Sequence, residues 1–579
     1  MPRKTLAILI SICFISQVYA ASDNDFVITI KSDNSGNSLS TQFTIPTTGV
    51  GYNYNVDCND DGIFEAAAQT GNYTCDYGGA GTYTIRIEDN SGIGTGFPRI
   101  YFNNTADRRK ITAILQWGNG AWTSMESAFY GAENMTVVAT DSPNLSAVTN
   151  MSRMFQGASL ANPNTSNWNT TTVTDMSRMF MRATVANPDT SNWNTAAVTN
   201  MEAIFVATAA NPNTSGWDTA NVTNMSNMFA GATIANPDTS NWNTAAVTNM
   251  AGMFSGATVA NPDTSGWDTA KVTLMWFMFR NAAVANPNTS NWNTAAVTNM
   301  QAMFHNADIA NPDTSGWDTT KVTNMSQMFS FAPLANPNTS GWDTSAVTNM
   351  SAMFVFAAVA NPDTANWNTA AVTNMTQMFA NAPLANPDTS GWNTAAVIGM
   401  ASMFRRASLA NPDTSGWNTA AVTRMNSMFA DATSANPNTS NWNTAAVTRM
   451  NVMFFNATSA NPDTSSWDTA AVTTMELMFA EATSANPDTS NWNISLVTDM
   501  GLMFSGVALP SSDYDALLIG FNNQGVQSSV VFDGGSSQVC STEGRTAKDS
   551  LISSNGWIIS DGGICSEIDF IFSSNFESL

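Results

Sequence analysis

Apolar residues return at the same places every 25 residues along most of the chain. In one copy they are Val247, Met250, Met253, Phe254 and Ala257. The spacing i, i+3, i+6, i+7 and i+10 would place them on one side of a three-turn helix. The pattern therefore predicts a short amphipathic helix in every unit, with this apolar stripe buried in the core.

The other half of each unit has a polar pattern. It reads Ala-Asn-Pro-Asp-Thr-Ser-Asn-Trp-Asn-Thr around Trp242, and its Asn-Pro step disfavours a helix and favours a turn. The segment Asp-Thr-Ser-Asn-Trp is long enough for one strand, and stacked copies would set Thr on Thr and Asn on Asn in a parallel ladder. The predicted fold class is therefore an α/β repeat solenoid, with one short parallel strand and one short helix per 25-residue unit.

The repeats occupy residues 144–508. Their Trp recurs at a step of 25 except between Trp193 and Trp217, where the step is 24, which indicates a surface loop that tolerates a deletion. One unit buries too little apolar surface to offset the cost of ordering its residues, so each needs neighbours on both sides. The degenerate segments 106–143 and 509–565 are predicted to cap the two ends.

The remaining segments have other patterns. Residues 22–105 alternate apolar and polar side chains between Gly-rich turns, which predicts a small all-β domain. Residues 1–20 have a basic start, an apolar stretch and a small-residue cleavage site at Ala20, which is typical of a secretory signal peptide. Residues 566–579 form a tail. No later segment is long and apolar enough to predict a transmembrane span in the mature chain.

The charge balance narrows the possible partners and activities. The chain has 20 Lys and Arg against 44 Asp and Glu, a net charge of −24, which argues against a nucleic-acid partner. Its single histidine, His305, argues against a histidine-based nucleophile or a His-rich metal site. Aspartates such as Asp238 and Asp263 recur with the unit, which predicts ladders rather than an acid–base pair. We therefore expect no enzymatic activity.

Four cysteines follow the signal peptide: Cys58, Cys75, Cys540 and Cys565. An even number of cysteines in an exported protein indicates disulfides. Three connectivities are possible, and proximity in the sequence favours Cys58–Cys75 and Cys540–Cys565.

A calcium loop is the one candidate metal site. Asp57, Asn59 and Asp61 place oxygen ligands on alternate residues, and Glu65 lies at the ninth position of the loop. Ala68 stands at the twelfth position, where an EF-hand carries a bidentate Glu. The alternative is an acidic turn beside a disulfide, so calcium is only a possible cofactor and no other is expected.

The repeat motif Trp-Asn/Asp-Thr-x-x-Val-Thr-Asn-Met-x-x-Met-Phe resembles the 26-residue surface repeat of the BspA-like leucine-rich-repeat proteins. Two features depart from that family: the period here is 25, and Thr264 and its equivalents replace the hydrophobic strand residue. The segment 22–105 is similar to PKD-like domains through residues 56–62 and 81–85.

The resemblance implies a bacterial protein that is secreted or held at the cell surface. It would mediate adhesion or protein–protein interaction, with an extracellular protein, a cell surface or a polymer as its partner. Residues that vary between units, such as His305, Arg405 and Arg406, are predicted to lie on the outer face of the repeat helix. The alternative function is lattice binding, to ice or to a polymeric glycan, by the Thr/Asn ladder.

Overall fold

A computed structural model describes residues 24–566. The predicted signal peptide at 1–20 lies outside the described residues, as does the predicted tail from residue 567 onward. The described residues divide into two compact bodies, which meet in the sequence between residues 197 and 198 and are treated separately below.

The N-terminal body begins with a β region. Its main sheet has the strand order β4-β3-β6-β1-β7-β8, and β2 pairs with β5 in a second, two-stranded sheet. The strands are β1 (Phe26–Lys31), β2 (Gln42–Ile45), β3 (Tyr54–Asp57), β4 (Ala66–Gln69), β5 (Tyr73–Asp76), β6 (Thr82–Asp89), β7 (Ile111–Gln116) and β8 (Thr136–Val137).

The alternation of apolar and polar residues predicted for this region explains how its central strands pair. In β1, Ile28 and Ile30 are fully buried and lie opposite Ile85 and Tyr83 of the antiparallel β6. On its other edge β1 pairs with β7, which belongs to the segment 106–143. The predicted domain boundary at residue 105 therefore does not coincide with an edge of this sheet.

The predicted repeat helix is wrong. Throughout residues 198–508, all of which the structure describes, the units consist of turns and isolated bridges and contain no helix. In the unit around Phe254 the N–H of Met253 donates to the carbonyl of Met250, and the N–H of Ser255 to that of Gly252. Consecutive tight turns thus take the place of i→i−4 bonding.

Left-handed residues explain why a helix does not form. Two positions four residues apart have positive φ in every unit, for example Phe277 at 59° and Asn281 at 57°. An L-residue with this backbone conformation cannot continue a right-handed helix. Its N–H bonds to the next unit instead: that of Phe277 donates to the carbonyl of Gln301 at 2.9 Å.

The predicted strand is also wrong, although the parallel stacking of units is present. The Asp-Thr-Ser-Asn-Trp segment forms a turn closed by the N–H of Trp242 on the carbonyl of Thr239 (3.1 Å). The parallel bridges between units lie elsewhere, at Asn249 and Leu274 and at the equivalent residues of most other units. Each contact is one residue long, because the turns on both sides prevent an extended strand.

The apolar stripe is buried as predicted, despite the absence of a helix. Val247, Met250, Met253, Phe254 and Ala257 have no exposed surface. Phe254 stacks on the Phe of each neighbouring unit, with ring centroids 5.6 and 5.7 Å away. The core is therefore built from columns of identical side chains, one column for each position of the repeat.

After the last repeat the chain forms α1 (Ser511–Asn522), β9 (Val531–Asp533), α2 (Thr542–Asn555) and β10 (Ile558–Ser560). β9 continues the stack, because the N–H of Met500 donates to Val531 (3.1 Å) and that of Phe504 to Asp533 (3.0 Å). Two main-chain donors of the final repeat are thereby satisfied, as a cap requires.

Candidate functional site

The loop after β3 brings the predicted calcium ligands together. Carboxylate oxygens of Asp57, Asp61 and Glu65 lie within 4.8 Å of one another. Asn59 joins them, because its amide nitrogen donates to Asp61 Oδ2 at 3.1 Å. Asp57 is buried, whereas Asp61 and Glu65 are exposed.

Internal hydrogen bonds already use part of this donor set. Asp57 Oδ2 accepts the N–H of Gly62 at 2.8 Å, and Glu65 Oε2 accepts that of Cys58 at 2.6 Å. Calcium takes roughly six to eight oxygen ligands. Three carboxylates and one amide supply fewer than that if each gives one oxygen. The loop fits calcium only with further oxygens from the main chain or water, and calcium binding stays a prediction.

Both predicted disulfides are present. Cys58 and Cys75 have their Cα atoms 5.7 Å apart, and Cys540 and Cys565 have theirs 5.0 Å apart. The first bridge joins the start of the acidic loop, directly after β3, to β5. The second joins Cys540, which lies two residues before α2, to Cys565 near the end of the described residues.

The repeats present an exposed asparagine row. Asn236, Asn261 and Asn286 occupy the same place in successive units, and the side-chain oxygen of each accepts the N–H of the next, at 3.0 Å in both steps. The same bond recurs as far as Asn486. Outward side chains are thereby fixed at the period of the stack.

The threonines of the predicted ladder belong to the segment Asp-Thr-Ser-Asn-Trp, not to the Asn-Pro step of this row, and they point inward. Thr239 and Thr264 are buried, and the hydroxyl of Thr264 donates to the main-chain carbonyl of Asn288 at 2.6 Å. A buried hydroxyl needs a partner, and the next unit provides it. The Thr/Asn ladder predicted as a binding surface is therefore wrong in its threonine half.

An acidic row runs beside the asparagines. Asp263 is exposed, and its Oδ1 accepts hydrogen bonds from the hydroxyl and the N–H of Ser265, at 2.7 and 3.0 Å. These bonds, the hydroxyl first, lower the pKa of Asp263 below its usual value. A carboxylate held ionised in this way is a poor proton donor at neutral pH, so the row supplies negative charge rather than acid catalysis.

The residues that vary between units lie on a third surface. His305 and Arg405 are half-buried and Arg406 is exposed. Between them Phe331 and Phe356 are 42 % and 44 % exposed and stack with ring centroids 4.7 Å apart. Sequence reasoning missed this aromatic pair. The available signal was that Phe stands twice in succession where most other units carry Asn or Gly.

No helix among residues 24–566 combines the length and the hydrophobicity that a membrane span requires.

The repeats of this chain match a known protein family. The family described as Mycoplasma protein of unknown function, DUF285, matches residues 123–213, 206–317, 308–417 and 400–516. These overlapping stretches cover more than half of the chain and all of its repeats. No curated protein matches the sequence.

Proposed function

We propose, from the premise that this chain belongs to the family of Mycoplasma proteins of unknown function, DUF285, that it is an adhesive or interaction protein acting outside the cell. The asparagine row carries the proposal. Identical outward side chains, fixed by main-chain bonds such as that from Asn261 to Asn236 (3.0 Å), form many equivalent contact points. Such a surface suits contacts that are weak singly and strong together.

Export supports the extracellular setting. The first 20 residues have the features of a signal peptide, and the two disulfides are of the kind that persists in oxidising compartments. The resemblance to BspA-like surface repeats and to PKD-like domains points to the same location. We place the protein at the bacterial surface or in the medium, without enzymatic activity.

A solenoid architecture for residues 198–508 is part of the proposal. Its test is the removal of one whole unit, Ala310 to Leu334, which would bring two equivalent faces into contact. We expect a folded, shorter protein with the same circular dichroism spectrum per residue. Loss of the cooperative unfolding transition would contradict the solenoid.

Adhesion is tested with the full secreted chain and with variants that lack one, three or five units. Binding to immobilised cells and to extracellular matrix proteins would be measured by biolayer interferometry. Multivalent contact predicts an off-rate that rises steeply with each unit removed. A chain that binds none of these surfaces, or whose off-rate is independent of unit number, would contradict the proposal.

Lattice binding is the second candidate, and the exposed asparagine row is the observation that favours it. Because the threonines are buried, the lattice would have to match the asparagines alone. Asn286→Ala and Asn311→Ala together should then reduce binding to ice or to a crystalline glycan. Because adhesion as proposed uses the same row, it should fall as well. The two candidates are therefore distinguished by what the unaltered chain binds, a crystalline lattice or an extracellular protein.

A further inference from the structure

A groove runs along the variable surface of the C-terminal body. Its floor consists of Ser330, Val355 and Ala380, which occupy the same place in three successive units and are buried. At the same place in the flanking units stand His305 at one end and Arg405 at the other. The groove exists because three small or medium side chains follow one another between two large ones.

The two walls of the groove differ in chemistry. One wall carries the exposed rings of Phe331 and Phe356, and His305 meets Phe331 edge-on with ring centroids 5.7 Å apart. The opposite wall carries the exposed amides of Gln327 and Gln377. An apolar wall that faces a row of amide donors and acceptors fits a ligand with one apolar face and polar edges.

The end of the groove at Arg405 is positively charged. Arg406 lies beside it, and its Nε is 3.3 Å from Asp431 Oδ2. Two guanidinium groups and one carboxylate leave this end positive, on a chain whose net charge is −24. Guanidinium groups bind carboxylates through paired, charge-assisted hydrogen bonds. The local charge therefore favours an anionic ligand.

The main chain of the groove has no free strand edge. The N–H of Phe331 donates to Val355 at 2.6 Å, that of Phe356 to Ala380 at 3.0 Å, and that of Val355 to Ala352 at 3.3 Å. A peptide bound in extended form gains affinity by pairing its backbone with such an edge. These donors are already used within the stack, which argues against a peptide.

We propose that this groove binds an acidic polysaccharide built from uronic acid residues. The apolar C–H face of a sugar ring packs against the exposed edges of Phe331 and Phe356, whose inner faces cover each other, and this contact removes apolar surface from water. Hydroxyl groups meet the glutamine wall, and a carboxylate pairs with Arg405 and Arg406. The four unit steps from His305 to Arg405 span roughly 20 Å, enough for a few sugar residues. This inference rests on the proposed function and names the chemical class of one of its partners.

The test measures binding of a labelled oligogalacturonate to the full chain by fluorescence anisotropy. Its methyl ester, which has the same sugars without the charge, and a hexaglutamate peptide are the comparison ligands. We expect saturable binding of the oligogalacturonate, about tenfold weaker binding of the ester, and weaker binding still of the peptide.

Variants are chosen from residues that other units carry at the same position, so that they fold. Phe331→Asn with Phe356→Asn introduces the residue found at Asn306 and Asn381, and should weaken binding of both sugar ligands about tenfold. Arg405→Ala with Arg406→Asn should reduce binding of the acid to the level of the ester. Phe277→Asn and Arg424→Asn, outside the groove, are the controls and should change nothing.

Three results would overturn the inference: no saturable binding of the oligogalacturonate, equal or tighter binding of hexaglutamate, or unchanged binding by the double Phe variant. Adhesion by the groove variants separates this inference from the proposed function. If they adhere normally and the acidic oligomer does not bind, only the polysaccharide site is refuted. If the oligomer binds at the groove and the protein adheres to nothing, only the adhesive function is refuted.

Discussion

The indole ring of Trp267 lies parallel to that of Trp292, with an angle of 0° between their planes and 6.3 Å between their ring centroids. The same relationship joins consecutive units from Trp217 to Trp492, at 6.2 to 6.5 Å. Each ring is therefore packed by two neighbouring units. Stability in such a stack lies in the contacts between units as much as within them.

Removing one ring from the phenylalanine column should destabilise two interfaces. Phe329 is fully buried and stacks on Phe304 and Phe354 at 5.6 and 5.7 Å. Phe329→Ala leaves a cavity and should lower the free energy of unfolding by about 3–5 kcal/mol. Gln327→Asn, an exposed change to a residue found in another unit, is the control. Denaturant unfolding measures both, and equal effects would contradict a packed column.

The second left-handed position of each unit should disfavour β-branched residues, although the first position holds one at Val452. Asn306, at the second position, has φ of 54°, a conformation that costs Val more than Asn. Asn306→Val should cost about 1–2 kcal/mol of unfolding free energy. Ile309→Val, nearby and at a position where another unit carries Val, should cost far less. A thermal melt that shows the two variants to be equally stable would place Asn306 outside the left-handed region.

The buried threonine hydroxyls should stabilise contacts between units. Thr264→Val keeps the shape of the side chain but removes the donor to Asn288 O (2.6 Å), which should cost about 1–2 kcal/mol. Thr273 makes a comparable bond at 3.1 Å but is exposed, and Ile398 replaces it in another unit. Thr273→Val should therefore be nearly neutral. Hydrogen exchange of the flanking amides would show whether only the first change loosens the interface.

A buried lysine should be essential to the N-terminal body. Lys110 is 1 % exposed, and its Nζ donates to the carbonyls of Leu39 (2.7 Å) and Gln42 (2.8 Å), while Asp107 lies 3.9 Å away. Lys110→Met leaves Asp107 without its counterion in the interior and should cost about 3–5 kcal/mol. Lys31→Met removes only an exposed ion pair and should have little effect on the melting temperature.

The single histidine should be neutral at physiological pH. Burial, and then the charge of Arg280, lower the pKa of His305 below its usual 6.5. On acidification the unfolded chain takes up a proton near pH 6.5 while the folded chain does not. The free energy of unfolding should therefore fall as the pH drops below 6.5, and stop falling once the folded imidazole is protonated.

Histidine NMR and unfolding at several pH values measure this effect directly, because the chain has one imidazole. His305→Ser, which introduces the residue found at Ser330, should remove the histidine contribution to the pH dependence. A measured pKa at or above 6.5 would show that the ring is solvated and does not form the end of the groove.

The sequence predicted which side chains are buried better than it predicted the backbone that buries them. The stripe at Met250, Met253 and Phe254 was identified as core because apolar residues at fixed intervals must share one side. The helix inferred from the same spacing was wrong, because consecutive turns with left-handed residues also return those positions to the inside. The Gly and Asn residues frequent at the second left-handed position, such as Gly256 and Asn281, were the signal for this backbone.

The sequence by itself determined the period, the paired cysteines, the acidic loop and the apolar columns, because each depends on residues that are close in the chain or identical between units. Only the tertiary structure decided that the side chain of Thr264 points inward and that the ring of Phe331 stacks on that of Phe356. Both depend on the conformation of the turns and on contacts between residues of different units. A ring or a hydroxyl acquires its partner only when the next unit stacks upon it, and no spacing within one unit specifies that contact.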